Sequence, residues 1–169
     1  MFLSTINVSK TRRGMRSQEL VKSAIRRYNR HNWACIHEVE VPKTITKEEA
    51  FYREKSTVDF SGIGYNRPVA FDVKSTRSRT RFDLSLVKEH QYYYLRRFHQ
   101  QGGVAFILLH MIKHHKWFVI PFEKLERHMK EAQTGGRQSI PYEELCWSTP
   151  KVKEGGRTGL DFLEKIIKV

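Results

Sequence analysis

Asp59, Asp72 and Lys74 are the residues of this chain whose types and spacing could do chemistry. They stand in Thr57-Val58-Asp59-Phe60 and in Phe71-Asp72-Val73-Lys74, with the turn-forming run Gly64-Tyr65-Asn66-Arg67 between them. Side chains two apart on an extended strand project to the same face. Asp72 and Lys74 therefore share one face, as do Thr57 and Asp59, while Val58, Phe60, Phe71 and Val73 point into a core. A hairpin would bring the two acids together beside one ammonium. Hydrolysis of a phosphodiester needs a nucleophilic water, stabilised phosphoryl oxygens and help for the leaving alkoxide, and hard oxygen ligands holding Mg²⁺ meet all three needs. Asp59 and Asp72 are the expected metal-holding acids, and Lys74 would stand beside the attacking water or the scissile phosphate. The bland alternative is a salt-bridged hairpin on a solvated sheet face, where such a pair contributes little. The second acid, the strand placement and the charge of the chain favour chemistry.

That charge also indicates the substrate. The 31 Lys and Arg against 18 Asp and Glu leave a net charge of +13. Phosphate neutralisation with counterion release makes nucleic acid the leading partner. No apolar run approaches the roughly 20 residues of a spanning helix, and no secretory or lipidation signal stands out. The expectation is a cytoplasmic, nucleoid-associated protein with no membrane partner. Cys35 and Cys146 form no CxxC pair and read as reduced, structural thiols.

The elements that must position these residues follow from periodicity and turn chemistry. Residues 1–11 read as a flexible arm. From Ser17 to Arg30, Leu20, Val21, Ala24, Ile25 and Tyr28 trace one face of a helix. Trp33 to Val41 reads as a strand closed by Pro42, and the polar segment of about 42–55 as an insertion. Thr57–Ile63 and Pro68–Ser75 form a hairpin. A basic loop, Arg77 to Arg81, then leads to one long helix from Leu84 to Gln100, stopped by Gly102-Gly103. Val104–His110 and Lys116–Ile120 are strands about a turn, followed by a short helix from Glu123 to Glu131. A final apolar element runs from Leu160 to Val169. His110, His114 and His115 read as turn residues, since no further Cys or His stands at zinc-ligand spacing. The order predicts one α/β domain over 12–169 with a mixed central sheet flanked by helices.

The chain resembles the RecU family of Holliday-junction resolvases, within the PD-(D/E)xK nuclease superfamily. The matching runs are Arg13-Gly14-Met15, Ser56-Thr57-Val58-Asp59-Phe60-Ser61-Gly62 and Phe71-Asp72-Val73-Lys74-Ser75-Thr76. They continue through Phe82-Asp83-Leu84, His90-Gln91, Gln101-Gly102-Gly103-Val104-Ala105-Phe106, Gly136-Arg137-Gln138-Ser139-Ile140 and Leu160-Asp161-Phe162-Leu163. The resemblance implies a restriction-endonuclease-like fold and a Mg²⁺ site (Mn²⁺ substituting) built from Thr57, Asp59, Asp72 and Gln91. Lys74 would be the transition-state stabiliser, and Asp72 stands where Glu is frequent. Glu19, in the first helix, is where several superfamily members place an acid near the metal; beside Lys22 it reads better as a solvated charge.

The resemblance further implies that the 42–55 insertion is a stalk between the first two strands, and that a homodimer inserts its stalks into the open centre of a four-way junction. Lys43, Lys47, Phe51, Tyr52, Arg53 and Lys55 suit phosphate contact and base stacking there. Arg77, Arg79 and Arg81 would clamp the backbone beside the cut, and Arg13 and Arg16 extend the basic face. Such contacts position DNA without reading sequence. A two-fold dimer presents paired sites for symmetric nicks, and the family implies 5′-phosphate and 3′-hydroxyl products in recombination and repair. Recombinases or branch-migration proteins are candidate partners. The competing readings are a nuclease without junction preference and a catalytically silent architectural DNA-binding protein.

Overall fold

The computed structural model describes residues 8–39 and 57–167. The chain runs through α1 (Val8–Arg30), β1 (Ala34–Glu38), β2 (Phe60–Gly64), β3 (Arg67–Thr76) and β4 (Arg81–Asp83). A 3₁₀ turn at Leu84–Leu86 precedes α2 (Glu89–Gln100) and β5 (Val104–Met111), and a second at Ile112–His114 precedes β6 (Lys116–Pro121). Then come α3 (Phe122–Gln133), β7 (Ser139–Pro141), α4 (Tyr142–Ser148), β8 (Lys151–Val152), β9 (Glu154–Gly155), β10 (Gly159–Leu160) and α5 (Glu164–Ile167).

The central sheet has the order β1-β2-β3-β5-β6-β8. Among the described strands of this sheet only β3 and β5 pair in parallel, so the sheet is mixed. A parallel pair needs a long crossover, and β4, the first 3₁₀ turn and α2 supply it. The β2–β3 hairpin turns on Tyr65 and Asn66, both at positive φ, with Gly64 opposite Arg67. Two left-handed central residues match the twist of the flanking strands.

Helices cover both faces. On one, Val21, Ala24, Ile25 and Tyr28 of α1 pack over Phe60, Phe71, Phe106 and Trp117. On the other, Tyr92 and Leu95 of α2 and Phe122 and Leu125 of α3 pack over Ala70, Ile107 and Phe118. Strand β3 thus divides its side chains cleanly, with Val69, Phe71 and Val73 toward α1 and Ala70 toward α2. The C-terminal segment returns to the α1 face, where Tyr28 and Tyr65 donate hydrogen bonds to Glu164 of α5 at 2.8 and 2.6 Å.

The outer edge of the sheet is blocked at its middle. Asn29 donates to the Ile36 carbonyl at 2.8 Å and accepts from the Ile36 N–H at 3.0 Å. One side chain therefore occupies the backbone groups that a foreign strand would need.

Several expected bounds differ from those observed. Helix α1 begins at Val8, inside the segment expected to be a loose arm; once the following turns through Arg12, Arg13 and Arg16 are helical, adding residues 8–11 needs no new nucleus. The helix expected from Leu84 is broken, because Val87 and Lys88 are extended and α2 starts at Glu89. Leu84 and Val87 are buried all the same, so their burial imitated helical periodicity. His110 lies in β5 rather than in a turn, and the final apolar element is divided between β10 and α5. Residues 42–55, expected to form the stalk, lie outside the described residues.

Candidate active site

The site forms where β2 begins and β3 nears its end. Strand β2 starts at Phe60, so Thr57 and Asp59 stand just ahead of it rather than within it. The cause is the Asp59 side chain. Its Oδ2 accepts the Val73 N–H at 2.8 Å, and an acidic side chain that takes a backbone donor ends the regular ladder locally. The Asp59 carbonyl accepts the Val39 N–H at 2.9 Å. Asp59 is thereby held by β3 on one side and by the end of β1 on the other.

Asp72 is fully buried, not solvated. It occupies the β3 face that looks toward α2, where a ring of contacts surrounds it. Lys74 Nζ lies 2.5 Å from Asp72 Oδ2 and donates to Gln91 Oε1 at 2.9 Å. Gln91 Nε2 donates to Asp72 Oδ1 at 2.7 Å. The same Gln91 Oε1 accepts the Lys88 N–H at 3.1 Å, which satisfies a free donor at the start of α2. Gln91 therefore joins the helix end to the carboxylate.

Electrostatics oppose two charged acids here. Burial pushes the Asp72 carboxyl up to about 6, the Asp59 charge adds to the rise, and Lys74 opposes it. Burial raises Asp59 as well, against the Val73 N–H, the Lys74 charge and a hydrogen bond from Gln18. One ammonium faces two carboxylates, so the site has an unbalanced negative charge. Asp72 Oδ2 sits beside that ammonium, and hydrogen bonds from Lys74 and from the Asp59 N–H favour the charged carboxylate without offsetting its burial. The carboxylates of Asp72 and Asp59 are hard donors of the kind that hold a small divalent cation. Among the described residues no group of three or more His, Cys, Asp and Glu converges. Two carboxylates completed by neutral oxygens and water suit Mg²⁺, which retains much of its hydration.

The other expected site residues divide by place. Arg13 falls on α1, where Arg16 is exposed. Arg77 and Arg79 are exposed in the loop after β3. Arg81 lies in β4 and donates through Nε to Asp83 at 2.8 Å, so its charge is already matched. Lys43, Lys47, Phe51, Tyr52, Arg53 and Lys55 lie outside the described residues. Glu19 is exposed and 3.7 Å from Lys22, which is closer to Glu38 at 2.9 Å. The residue of α1 that reaches Asp59 is instead Gln18. Its position three before Val21 and seven before Ile25, on the buried face of α1, is the signal that distinguishes it from Glu19.

Comparison with known proteins assigns the chain to a family. The family model described as RecU, Recombination protein U, matches residues 12–168. The Holliday junction resolvase RecU of Listeria innocua is 30% identical, over 94% of this chain and 84% of its own. That of Leuconostoc citreum is 28% identical over 92% and 80%, and that of Oenococcus oeni 26% over 96% and 88%. With a family match spanning almost its whole length, the chain belongs to the RecU family.

Proposed function

We propose that this chain is a Mg²⁺-dependent endonuclease that, as a homodimer, resolves four-way DNA junctions by paired symmetric nicks. The observation that carries the reading is the meeting of Asp59, Asp72 and Lys74 at one buried point, in a chain whose relatives bear the name Holliday junction resolvase. The exposed Arg77 and Arg79 directly follow the strand that supplies two of these residues.

Asp59 and Asp72 hold the cation, with Thr57 and Gln91 as neutral oxygen donors. When bound, it supplies charge stabilisation at the phosphoryl oxygens and the leaving oxygen; Mn²⁺, with similar oxygen preference, substitutes. Lys74 stands between Asp72 and the substrate side, where its ammonium meets charge developing on the scissile phosphate. Gln91 presents nitrogen to Asp72 and gives its oxygen to Lys74 and the Lys88 N–H. A ligand role for Gln91 therefore requires the amide to turn. Arg13, Arg16, Arg77 and Arg79 contact phosphates, and the 42–55 stalk, with Lys43, Lys47, Phe51, Tyr52, Arg53 and Lys55, enters the junction centre. Arg81 contributes only on releasing Asp83.

The finer expectations belong to the same proposal. They are a restriction-endonuclease-like single domain over 12–169, 5′-phosphate products, a cytoplasmic place beside the nucleoid, and recombination proteins as partners. The test compares wild type, Asp72→Asn and Lys74→Ala on a synthetic mobile junction and on linear duplex, with and without Mg²⁺. Both variants are expected to bind the junction and not to cut it. Equal cutting of junction and linear duplex by the wild type would remove the junction preference. Cutting by both variants would place the chemistry elsewhere.

A further inference from the structure

The loop between β3 and β4 carries Arg77 and Arg79, exposed and, among the described residues, without an ion pair. An exposed arginine loop is ordinarily mobile, yet this one is tied by hydrogen bonds at Ser78, Arg79 and Thr80. Thr76 Oγ1 accepts the Ser78 N–H at 3.1 Å. Ser78 Oγ accepts the N–H groups of Thr80 and Arg81 at 3.3 and 3.1 Å. The Tyr142 N–H donates to the Thr80 carbonyl at 2.8 Å. The Arg79 carbonyl meets His114 Nε2 at 2.8 Å. A carbonyl only accepts, so Nε2 carries the proton.

His114 is fixed in its turn. Its ring lies parallel to that of Tyr142, with centroids 3.8 Å apart and planes 6° apart. The Tyr142 hydroxyl accepts from Lys116 Nζ at 2.7 Å, and that ammonium also stands 5.3 Å from the Tyr142 ring centre. The ring stack thus joins the turn between β5 and β6, the start of α4 and the arginine loop. Strand β5 is the neighbour of β3, the strand that bears Asp72 and Lys74.

We propose that His114, stacked on Tyr142, is a positioning residue that holds the 77–80 loop so that Arg77 and Arg79 are presented, preordered, to the phosphates flanking the cut. This rests on the nuclease reading above. A loop ordered before binding loses less freedom when DNA arrives, and affinity gains by that amount. His114 touches no substrate and acts only through the two arginines.

The test measures binding of a synthetic four-way junction in EDTA, and cleavage in Mg²⁺, for the full-length protein. His114→Ala and His114→Phe, the second of which keeps an aromatic stack but loses the bond to Arg79, are each expected to weaken binding about five-fold, about 1 kcal/mol. The loss in cleavage should fall on KM rather than kcat. Placed in an Arg77→Ala/Arg79→Ala background, either change should cost less than two-fold, because no guanidinium remains to be positioned. Equal losses in both backgrounds would show that His114 acts by another route and would overturn the proposal. His114→Phe binding as wild type does would overturn the role of the hydrogen bond. Wild-type binding by Arg77→Ala/Arg79→Ala would remove the loop from the DNA surface while leaving the nuclease reading to stand on cleavage. Failure of wild type to cut any junction would instead sink that reading itself.

Discussion

Replacing Asp72 by Asn is expected to change how stability depends on pH, before any DNA is present. Burial, with the neighbouring charge of Asp59, moves the Asp72 carboxyl from 3.8 to about 6 in the folded chain. The fold therefore holds that proton more tightly than the unfolded chain does. Its contribution is complete below pH about 4 and is lost as pH rises through about 6. At roughly 1.4 kcal/mol per tenfold change in proton affinity, the loss amounts to about 3 kcal/mol. Asp59 and Asp72 titrate as a pair, so the change is spread over the range rather than confined to one step. The amide introduced by Asp72→Asn does not titrate. In EDTA, stability of Asp72→Asn minus that of wild type should therefore climb by about 2 kcal/mol between pH 4.5 and 7.5 and then level off, the rest of the change falling at lower pH. Glu144 and Asp161 cancel in this difference, although each is held below its ordinary value. Burial pushes both up, and the hydrogen bonds from Lys124 and His128 to Glu144, and from Thr158 to Asp161, outweigh it. Mg²⁺ should stabilise wild type at pH 7.5 by mass action and do little for the variant. The assay is urea unfolding at fixed ionic strength over that range. Parallel pH profiles for the two proteins would refute a buried, charge-opposed Asp72, and equal stabilisation by Mg²⁺ would refute its place in the cation site.

Other perturbations reach separate parts of the molecule. Arg77→Ala/Arg79→Ala should lower the slope of log affinity against log salt for duplex arms by about 2, at roughly 0.9 for each phosphate no longer neutralised; an unchanged slope in titrations would mean that neither meets a phosphate. Asn29→Ala removes two hydrogen bonds to Ile36, an expected cost of about 2 kcal/mol. It also opens a strand edge, so light scattering should report association under native conditions. Glu164→Gln weakens the acceptor shared by Tyr28 and Tyr65. It should loosen α5, seen as faster amide exchange over 164–167 and a stability loss of about 2 kcal/mol, with the stability profile of the Asp72 site unchanged.

The parts of this fold that could be read from the sequence are those whose signal is local. The face of α1 shows in the spacing of Val21, Ala24, Ile25 and Tyr28, and the hairpin shows in two apolar runs about Tyr65 and Asn66. The stop of α2 shows in Gly102, which sits at φ 82° where a left-handed residue is needed. What escaped depends on distant partners. Strand β8 has two residues and exists because Trp117 and Phe118 of β6 pair with it. Strand β7 exists because β4 pairs with it, and neither has a periodicity of its own. The break before α2 was hidden because Leu84 and Val87 are buried in either conformation, and no glycine or proline marks it.

The same division runs through the site, and there it has a physical consequence. The face shared by Asp72 and Lys74 follows from their spacing alone. That this face is a core face does not, since alternation distinguishes two sides of a strand without saying that helices cover both. On a solvated face Asp72 would ionise at little cost, and a cation would gain little by neutralising it. Placed instead between α2 and the sheet, with Asp59 close by, its charge is opposed by burial and by repulsion together. Lys74 answers only part of that. The remainder is a standing electrostatic deficit that, in the proposed nuclease, a divalent ion would relieve, so the feature that weakens the fold would be the one that gives the site its preference for a cation.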